Sequence, residues 1–501
     1  VPRPQPHSER AARTVLHLGV YGAGQIGQAL LAFFLVAVLA RALGREGFGQ
    51  YSVTFVIASL GALIADFGLG PWLTRAVAQD PAHSRERLRE ILRLRGLLTL
   101  LSWAATLAGG ALYLHSAPLL AGVAMMLAYL TLSGYVVVFE SLLIGRGYVG
   151  RVTVSVVGGK ALELAAVLLW LAGGRPAKLI EVVAVLALAC AVRLAMVWWL
   201  SSVVRAPLAG SATGEGPAGA MESVTGPALA RGSLLAQVLP FALGAWMWMA
   251  YFRVDVLMLQ RFSTPAAVGL YSAAYRVIEA LLLVPRTVVG VTYPAASAAW
   301  REGTLTRALL ARPGKLLALV SLAAAGGLWA LAPETLTFLF GRSFVDGAGA
   351  LRILALTLPV LFLNQYLGML LPATHRQNAW VALLGAALVV NVASNLVLIP
   401  RLGIVGAAAS TLISECFTLL CYAWLVVRRH GWFLPPLWLL RALAAAATMA
   451  WLVTLIPGAF VMRVLAGIAM FVLLAGLLRA ITAEDWALGG RLLRGARGAA
   501  P

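Results

Sequence analysis

The chain has 501 residues, of which 61% are hydrophobic and 12% charged, against about 45–50% apolar and about 25% charged in an ordinary soluble domain. This composition excludes a water-soluble fold and defines a polytopic membrane protein, because such an apolar stock supplies at most about fifteen spans of about 20 residues. The net charge of +20 does not point to nucleic acid, which needs a basic face on a soluble fold; here the basic residues lie in short runs between apolar stretches, where they set orientation.

Arg3, Arg10 and Arg13 precede an apolar run to Ala40 that is too long for the core of a signal peptide, so residues 1–14 read as a cytoplasmic N-terminus before the first span. Apolar runs of spanning length follow near 15–40, 51–77, 92–114, 117–143, 152–173, 179–202, 234–260, 267–297, 314–332, 348–372, 377–399, 403–427, 436–456 and 460–480. Each is continuously apolar rather than alternating at period two, so all fourteen are helices and not barrel strands. An even number returns both termini to one side. With that side cytoplasmic, 25 of the 39 Lys and Arg fall in cytoplasmic segments, 9 on the opposite side and five at membrane depth, a strong positive-inside bias. The location expected is a membrane, crossed many times, with both termini on its cytoplasmic side.

Residues 205–232 form the longest stretch outside the spans and are rich in Gly, Ala, Ser and Pro, the composition of a linker. The expected layout is an N-lobe of helices 1–6 (15–204), this linker, a C-lobe of helices 7–12 (233–430), helices 13–14 (431–480) and a cytoplasmic tail (481–501). The halves echo one another: a shift of 220 superposes Leu39, Arg41, Gly49, Tyr51 and Ser52 on Leu259, Arg261, Gly269, Tyr271 and Ser272 without a gap. A six-helix repeat is a parallel repeat, related by an axis along the membrane normal.

No motif for soluble chemistry survives inspection. Gly22-Ala23-Gly24-Gln25-Ile26-Gly27 spells a dinucleotide fingerprint, but it sits inside the first span with no strand before it. Cys190, Cys416 and Cys421 lie within apolar segments and read as small core residues, and His115, His375 and His430 are too scattered for a metal site. Pro71, Pro285, Pro294 and Pro359 are expected to bend spans. Trp246, Trp248 and Tyr251 read as belt or packing residues. There is no nucleotide-binding run G-x-x-x-x-G-K-[ST], so no cofactor is expected, and any work against a gradient would have to draw on H⁺ or Na⁺. An enzyme is not expected either, since no extramembrane loop is long enough to hold a catalytic domain.

The stretches 39–78 (LARALGREGFGQYSVTFVIASLGALIADFGLGPWLTRAVA), 253–285 and 391–415 (NVASNLVLIPRLGIVGAAASTLISE) resemble the polysaccharide transporter or Wzx-type oligosaccharide flippase family, part of a superfamily with lipid II flippases and multidrug exporters. The resemblance implies two six-helix lobes around a cavity that opens alternately to either side. It implies as substrate an undecaprenyl-pyrophosphate-linked oligosaccharide, with membrane lipids and a polysaccharide polymerase as candidate partners. A pyrophosphate crossing the hydrocarbon core needs cations and donors in place of water, and charges at membrane depth mark the place. Arg253, Arg276, Arg286, Lys160 and Arg193 are therefore the candidate substrate-binding cations. Lys160 with Glu163, and Arg276 with Glu279, are spaced i,i+3 and also suit structural ion pairs; Arg193 also suits a snorkelling role. For ion coupling the candidates are Asp255, Asn391, Asn395 and Thr411, at positions similar to those of sodium-binding lipid II flippases in helices seven, eleven and twelve, with Glu415 or Asp66 as alternative proton carriers. Asn391 and Asn395 also suit plain hydrogen bonding between helices. The competing readings are a multidrug or cation antiporter of the same superfamily, which would favour a carboxylate- and aromatic-rich cavity, and a membrane-embedded glycan polymerase.

Overall fold

The computed structural model describes residues 7–174, 177–203, 234–374, 376–431 and 434–481. The expected linker 205–232, His375 and all but the first residue of the tail 481–501 lie outside them. Every regular element among the described residues is helical, and eleven stretches are long and apolar enough to cross a membrane. The all-helical polytopic class expected from the composition is the one observed.

The chain divides into two compact units, one ending at Ser272 and one beginning at Ala273. In the first, α1 (His7–Asp66) is two helical segments meeting at Gly44, whose φ of 65° and ψ of 178° suit a residue without a Cβ. The second segment ends where Phe67 and Gly68 both take positive φ, and α2 (Leu69–Gln79) continues it. Pro71 supplies the reason: its ring would strike the carbonyl four residues earlier, at Phe67, and it has no N–H to donate there. Then come α3 (Ser84–Leu114), α4 (Ala117–Gly145), α5 (Val149–Ala172), α6 (Leu179–Val203), α7 (Leu234–Phe262) and the first turns of α8 (Pro265–Leu281). Helix α4 packs on α1, α2, α3 and α6; α5 packs on α1 and α6; and α7 packs on α1. Leu69, Leu73 and Val77 interlock with Ile91, Val138 and Leu142, fixing α2 against α3 and α4.

In the second unit, α9 (Leu283–Arg301) follows α8 after a break at Leu282. Pro285 explains it as Pro71 explains the first, since Leu281 is the residue four before it. The single run expected at 267–297 is thus two helices. The unit continues with α10 (Arg307–Ala330), α11 (Ala332–Phe340), a 3-10 turn (Arg342–Gly347), α12 (Ala348–Ala373), α13 (Gln377–His430), α14 (Pro436–Leu455) and α15 (Phe460–Leu477). Helix α13 is bent at Gly403, with φ 57° and ψ −130°, three residues after Pro400. Helix α12 packs on α9, α10 and α13, whereas α14 packs on α10 and α15. The α14 contact face is Ala442, Ala445, Ala446 and Ala450 with Met449, against Leu322, Phe471 and Ala475; small side chains let helix backbones approach where burial of apolar surface gives little drive.

The distribution of polarity is inverted relative to a soluble protein. Leu112 is 78% exposed, and Leu100, Leu169, Val291 and Leu420 are exposed too, while Glu163 is 1% exposed and Arg95, Glu140, Arg193, Asp255 and Glu415 are buried. An apolar exterior around a polar interior is what hydrocarbon solvent selects, because buried polar groups must find partners within the protein.

Candidate functional site

Polar side chains within the first unit form ion pairs fixed by three helices. Glu140 on α4 pairs with Arg193 on α6 at 2.7 Å and accepts a 2.6 Å hydrogen bond from Ser155 on α5. One turn along α5, Lys160 pairs with Glu163 at 2.7 Å, and Tyr129 of α4 donates to the same Glu163 oxygen at 3.1 Å. The i,i+3 spacing of Lys160 and Glu163 therefore does close a pair on one helix face. Gly159 makes the arrangement feasible, since a Cβ there would overlap the Arg193 side chain. Lys160 keeps 17% of its side chain exposed, whereas Arg193 keeps 6%.

A third pair was hidden by its position. Arg95 lies at the end of the basic run 84–95 and counts as cytoplasmic in the orientation tally, but α3 begins at Ser84, so Arg95 is three turns inside the helix and 2% exposed. It reaches Asp66 at 3.3 Å and lies 5.4 Å over the Tyr135 ring. A Cβ at Gly134 would overlap its guanidinium. The available signal was Asp66 itself, an acid at the end of a span that needs a cation from a neighbouring helix.

Arg253 and Asp255 of α7 face different partners, as their i,i+2 spacing requires. Arg253 lies 5.8 Å over the Phe55 ring of α1. Asp255 is 4% exposed and accepts from the Val256 amide at 2.9 Å and from the Tyr271 hydroxyl.

The five residues repeated at a shift of 220 occupy matching environments. Leu39 and Leu259 are both fully buried, Arg41 and Arg261 are both exposed, and Gly49, Tyr51 and Ser52 are buried like Gly269, Tyr271 and Ser272.

Polarity in the second unit is mostly neutral. Asn391 in the first segment of α13 donates to Ser414 in the second at 3.1 Å, and Asn395 donates to Asn391 at 2.9 Å. Thr411 donates to the Ala407 carbonyl at 3.1 Å. Asn364 of α12 donates to the Glu415 carboxylate at 2.6 Å and to its carbonyl at 2.9 Å. Asn364 Oδ1, Asn395 Oδ1 and Ser410 Oγ are buried without a hydrogen-bond partner among the described residues. Oxygen atoms of this kind are suited to a water or a small cation. No group of three or more His, Cys, Asp or Glu that could hold a metal occurs among the described residues. In α8, Arg276 pairs with Glu279 at 2.8 Å, whereas Arg286, in the first turn of α9, is exposed. The structure thus joins Asn391, Asn395 and Ser414 in one network and sets Asn364 on Glu415. Ser414 and Asn364 escaped the sequence reading because a lone hydroxyl or amide in an apolar run carries no charge to mark it.

The described residues define a polytopic helical membrane protein with broken helices and a charged interior. The model of the family described as "Polysaccharide biosynthesis protein" matches residues 17–300. The chain belongs to this family. Its fold is similar to that of a lipid II flippase MurJ in an inward closed conformation (12% identity, TM-score 0.67, covering 91% of this chain and 98% of that one). It is similar also to a multidrug resistance MATE family transporter of the MOP superfamily in an inward-facing conformation (16% identity, TM-score 0.64, 80% and 94% covered). A MOP superfamily transporter from Pyrococcus furiosus, described as having a binding pocket of reverse polarity, shares 15% identity at a TM-score of 0.56, with 82% and 95% covered. No curated protein sequence matches the chain significantly. The fold is therefore similar to those of these solved structures.

Proposed function

We propose that the chain flips an undecaprenyl-pyrophosphate-linked oligosaccharide across the cytoplasmic membrane of a bacterium or archaeon by ion-coupled alternating access, supplying cell-surface polysaccharide synthesis. Membership in the polysaccharide biosynthesis family carries this reading. In it the two kinked helices, α1 and α13, each cross twice, and the helices form fourteen spans: two parallel six-helix repeats followed by α14 and α15. Both termini are cytoplasmic. The Gly44 bend and the α7–α8 turn then lie on the outer side.

Among the candidate cations, Arg286 supports the reading best, because it is exposed with no side-chain hydrogen bond or ion pair among the described residues. Lys160, Arg253 and Arg276 would assist it; Arg193, held at 2.7 Å by Glu140, serves by positioning α6. Asp255, Asn391, Asn395 and Thr411 are proposed as sodium ligands, with Glu415 or Asp66 as the carrier if the coupled ion is a proton. Export of cationic compounds is the second reading, favoured by the likeness to the MATE family fold. Native mass spectrometry separates the two. Undecaprenyl pyrophosphate should bind the wild type, bind less to Arg253→Ala, Arg276→Ala and Arg286→Ala, and resist a cationic drug. Saturable drug binding with no lipid adduct would overturn the proposal.

A further inference from the structure

The repeat detected in the sequence meets itself in space. A Cβ built on Gly49 of α1 would overlap the Pro265 carbonyl oxygen of α8 and lie 3.0 Å from the Gly269 nitrogen. A Cβ built on Gly269 would overlap the Arg45 carbonyl oxygen and lie 3.1 Å from the Gly49 nitrogen. Residues 45 and 49 become 265 and 269 under the same shift of 220 that aligns the halves. Residue i of one helix therefore touches residue j of the other while j's counterpart touches i's, which is the signature of a two-fold contact.

Each helix begins just before the crossing: the second segment of α1 starts after Gly44, and α8 starts at Pro265 after Thr264, whose hydroxyl accepts from the Ala267 amide at 3.2 Å. The contact is thus made by the first turns of two helices, backbone against backbone, with no side chain between them. Such a contact leaves no gap for water.

We infer that the Gly49–Gly269 crossing is the closed gate on the side of the membrane bearing the Gly44 bend, a seal that forms only when both positions lack a Cβ. The inference rests on the transport reading for its purpose, but not for its test. Because each glycine faces a carbonyl of the other helix, one methyl group at either position is enough to separate the pair. Gly49→Ala and Gly269→Ala should then behave alike, and the double substitution should add little to either.

Hydrogen exchange read by mass spectrometry on purified protein in lipid nanodiscs tests this without any substrate. Amides in 45–55 and 265–275 should exchange about tenfold faster in each alanine variant, with peptides from α12 unchanged as proof of folding. Gly290→Ala, where a Cβ meets open space, should match the wild type. Wild-type exchange at the crossing in both alanine variants would overturn the gate.

A second measurement reads the same crossing as a distance, and its substrate arm leaves both glycines intact. Spin labels at the exposed residues Arg41 and Arg261, with the three native cysteines replaced by serine, should report a short distance that lengthens when Gly49→Ala is added or the lipid-linked substrate is supplied. A distance unmoved by both overturns the gate. A distance that lengthens with Gly49→Ala, in a protein that neither binds nor moves polyprenyl pyrophosphates, supports the gate and sinks the proposed substrate.

Discussion

The interior of the first unit is charged and closed, whereas that of the second is mostly neutral with one acid at its centre. In the first, Glu140–Arg193, Lys160–Glu163 and Asp66–Arg95 pair three acids with cations at 2.7 to 3.3 Å, while the buried Asp255 accepts from the Val256 amide and the Tyr271 hydroxyl. In the second, Asn391, Asn395 and Ser414 form a neutral network, Asn364 donates to Glu415, and three oxygen atoms lack a hydrogen-bond partner among the described residues. Matched pairs hold helices in one arrangement, because breaking a pair strands a charge in hydrocarbon. A neutral network with spare acceptors can admit an ion and give it back. On the transport reading proposed above, the contrast would make the first unit rigid and the second the place for a coupled ion.

The largest expected effect comes from stranding a charge. Glu140→Ala leaves Arg193, 5% exposed, without its carboxylate and should cost about 3–5 kcal/mol, read as a lower unfolding midpoint in detergent. Removing both charges with Glu140→Leu and Arg193→Met should recover most of that loss, since an apolar pair of similar volume needs no compensation. If the double variant is no more stable than Glu140→Ala, the pair is not the unit of stability.

A smaller effect is expected from the neutral network. Asn391→Ala removes the donor to Ser414 and the acceptor of Asn395, and interhelical hydrogen bonds in membranes contribute about 0.6 kcal/mol each, up to about 1.7. The unfolding midpoint should therefore fall by much less than for Glu140→Ala, while sodium-dependent transport, assayed in proteoliposomes, should fall by at least tenfold. Loss of stability equal to that of Glu140→Ala, or transport unchanged, would erase the distinction between the units.

How far the sequence discloses this contrast depends on what a residue must announce. Helices announce themselves through continuous apolar runs, and breaks at Phe67–Gly68 and Leu282 through Pro71 and Pro285. Membrane-depth charges stand out against leucine and alanine, so Arg193, Arg253 and Asp255 were visible. The pairing was not: Glu140 lies 53 residues from Arg193, and only the packing of α4 on α6 brings them together. Arg95 was lost to the basic run preceding it, because where a helix starts decides whether an arginine is in water or in protein. The 220-residue shift named both glycines of the crossing, yet a repeat in sequence does not say that its two copies touch.

The smallest effect on stability should come from the residue with the greatest proposed role. Arg286 is exposed and makes no side-chain hydrogen bond or ion pair among the described residues, so Arg286→Ala strands nothing and should change stability by less than about 0.5 kcal/mol. Arg276 is its natural comparison, since Arg276→Ala removes the guanidinium that holds Glu279 at 2.8 Å and should be measurably less stable. Polyprenyl pyrophosphate binding should respond in the opposite order. A guanidinium already engaged by a carboxylate must give up that bond to take a phosphate, whereas one without a protein partner gains the charge-assisted bond outright. Arg286→Ala should therefore weaken lipid binding more than Arg276→Ala does. Equal losses in binding would mean that the Glu279 pair opens at no cost, and no loss for Arg286→Ala would mean that its exposed guanidinium faces lipid headgroups rather than the substrate.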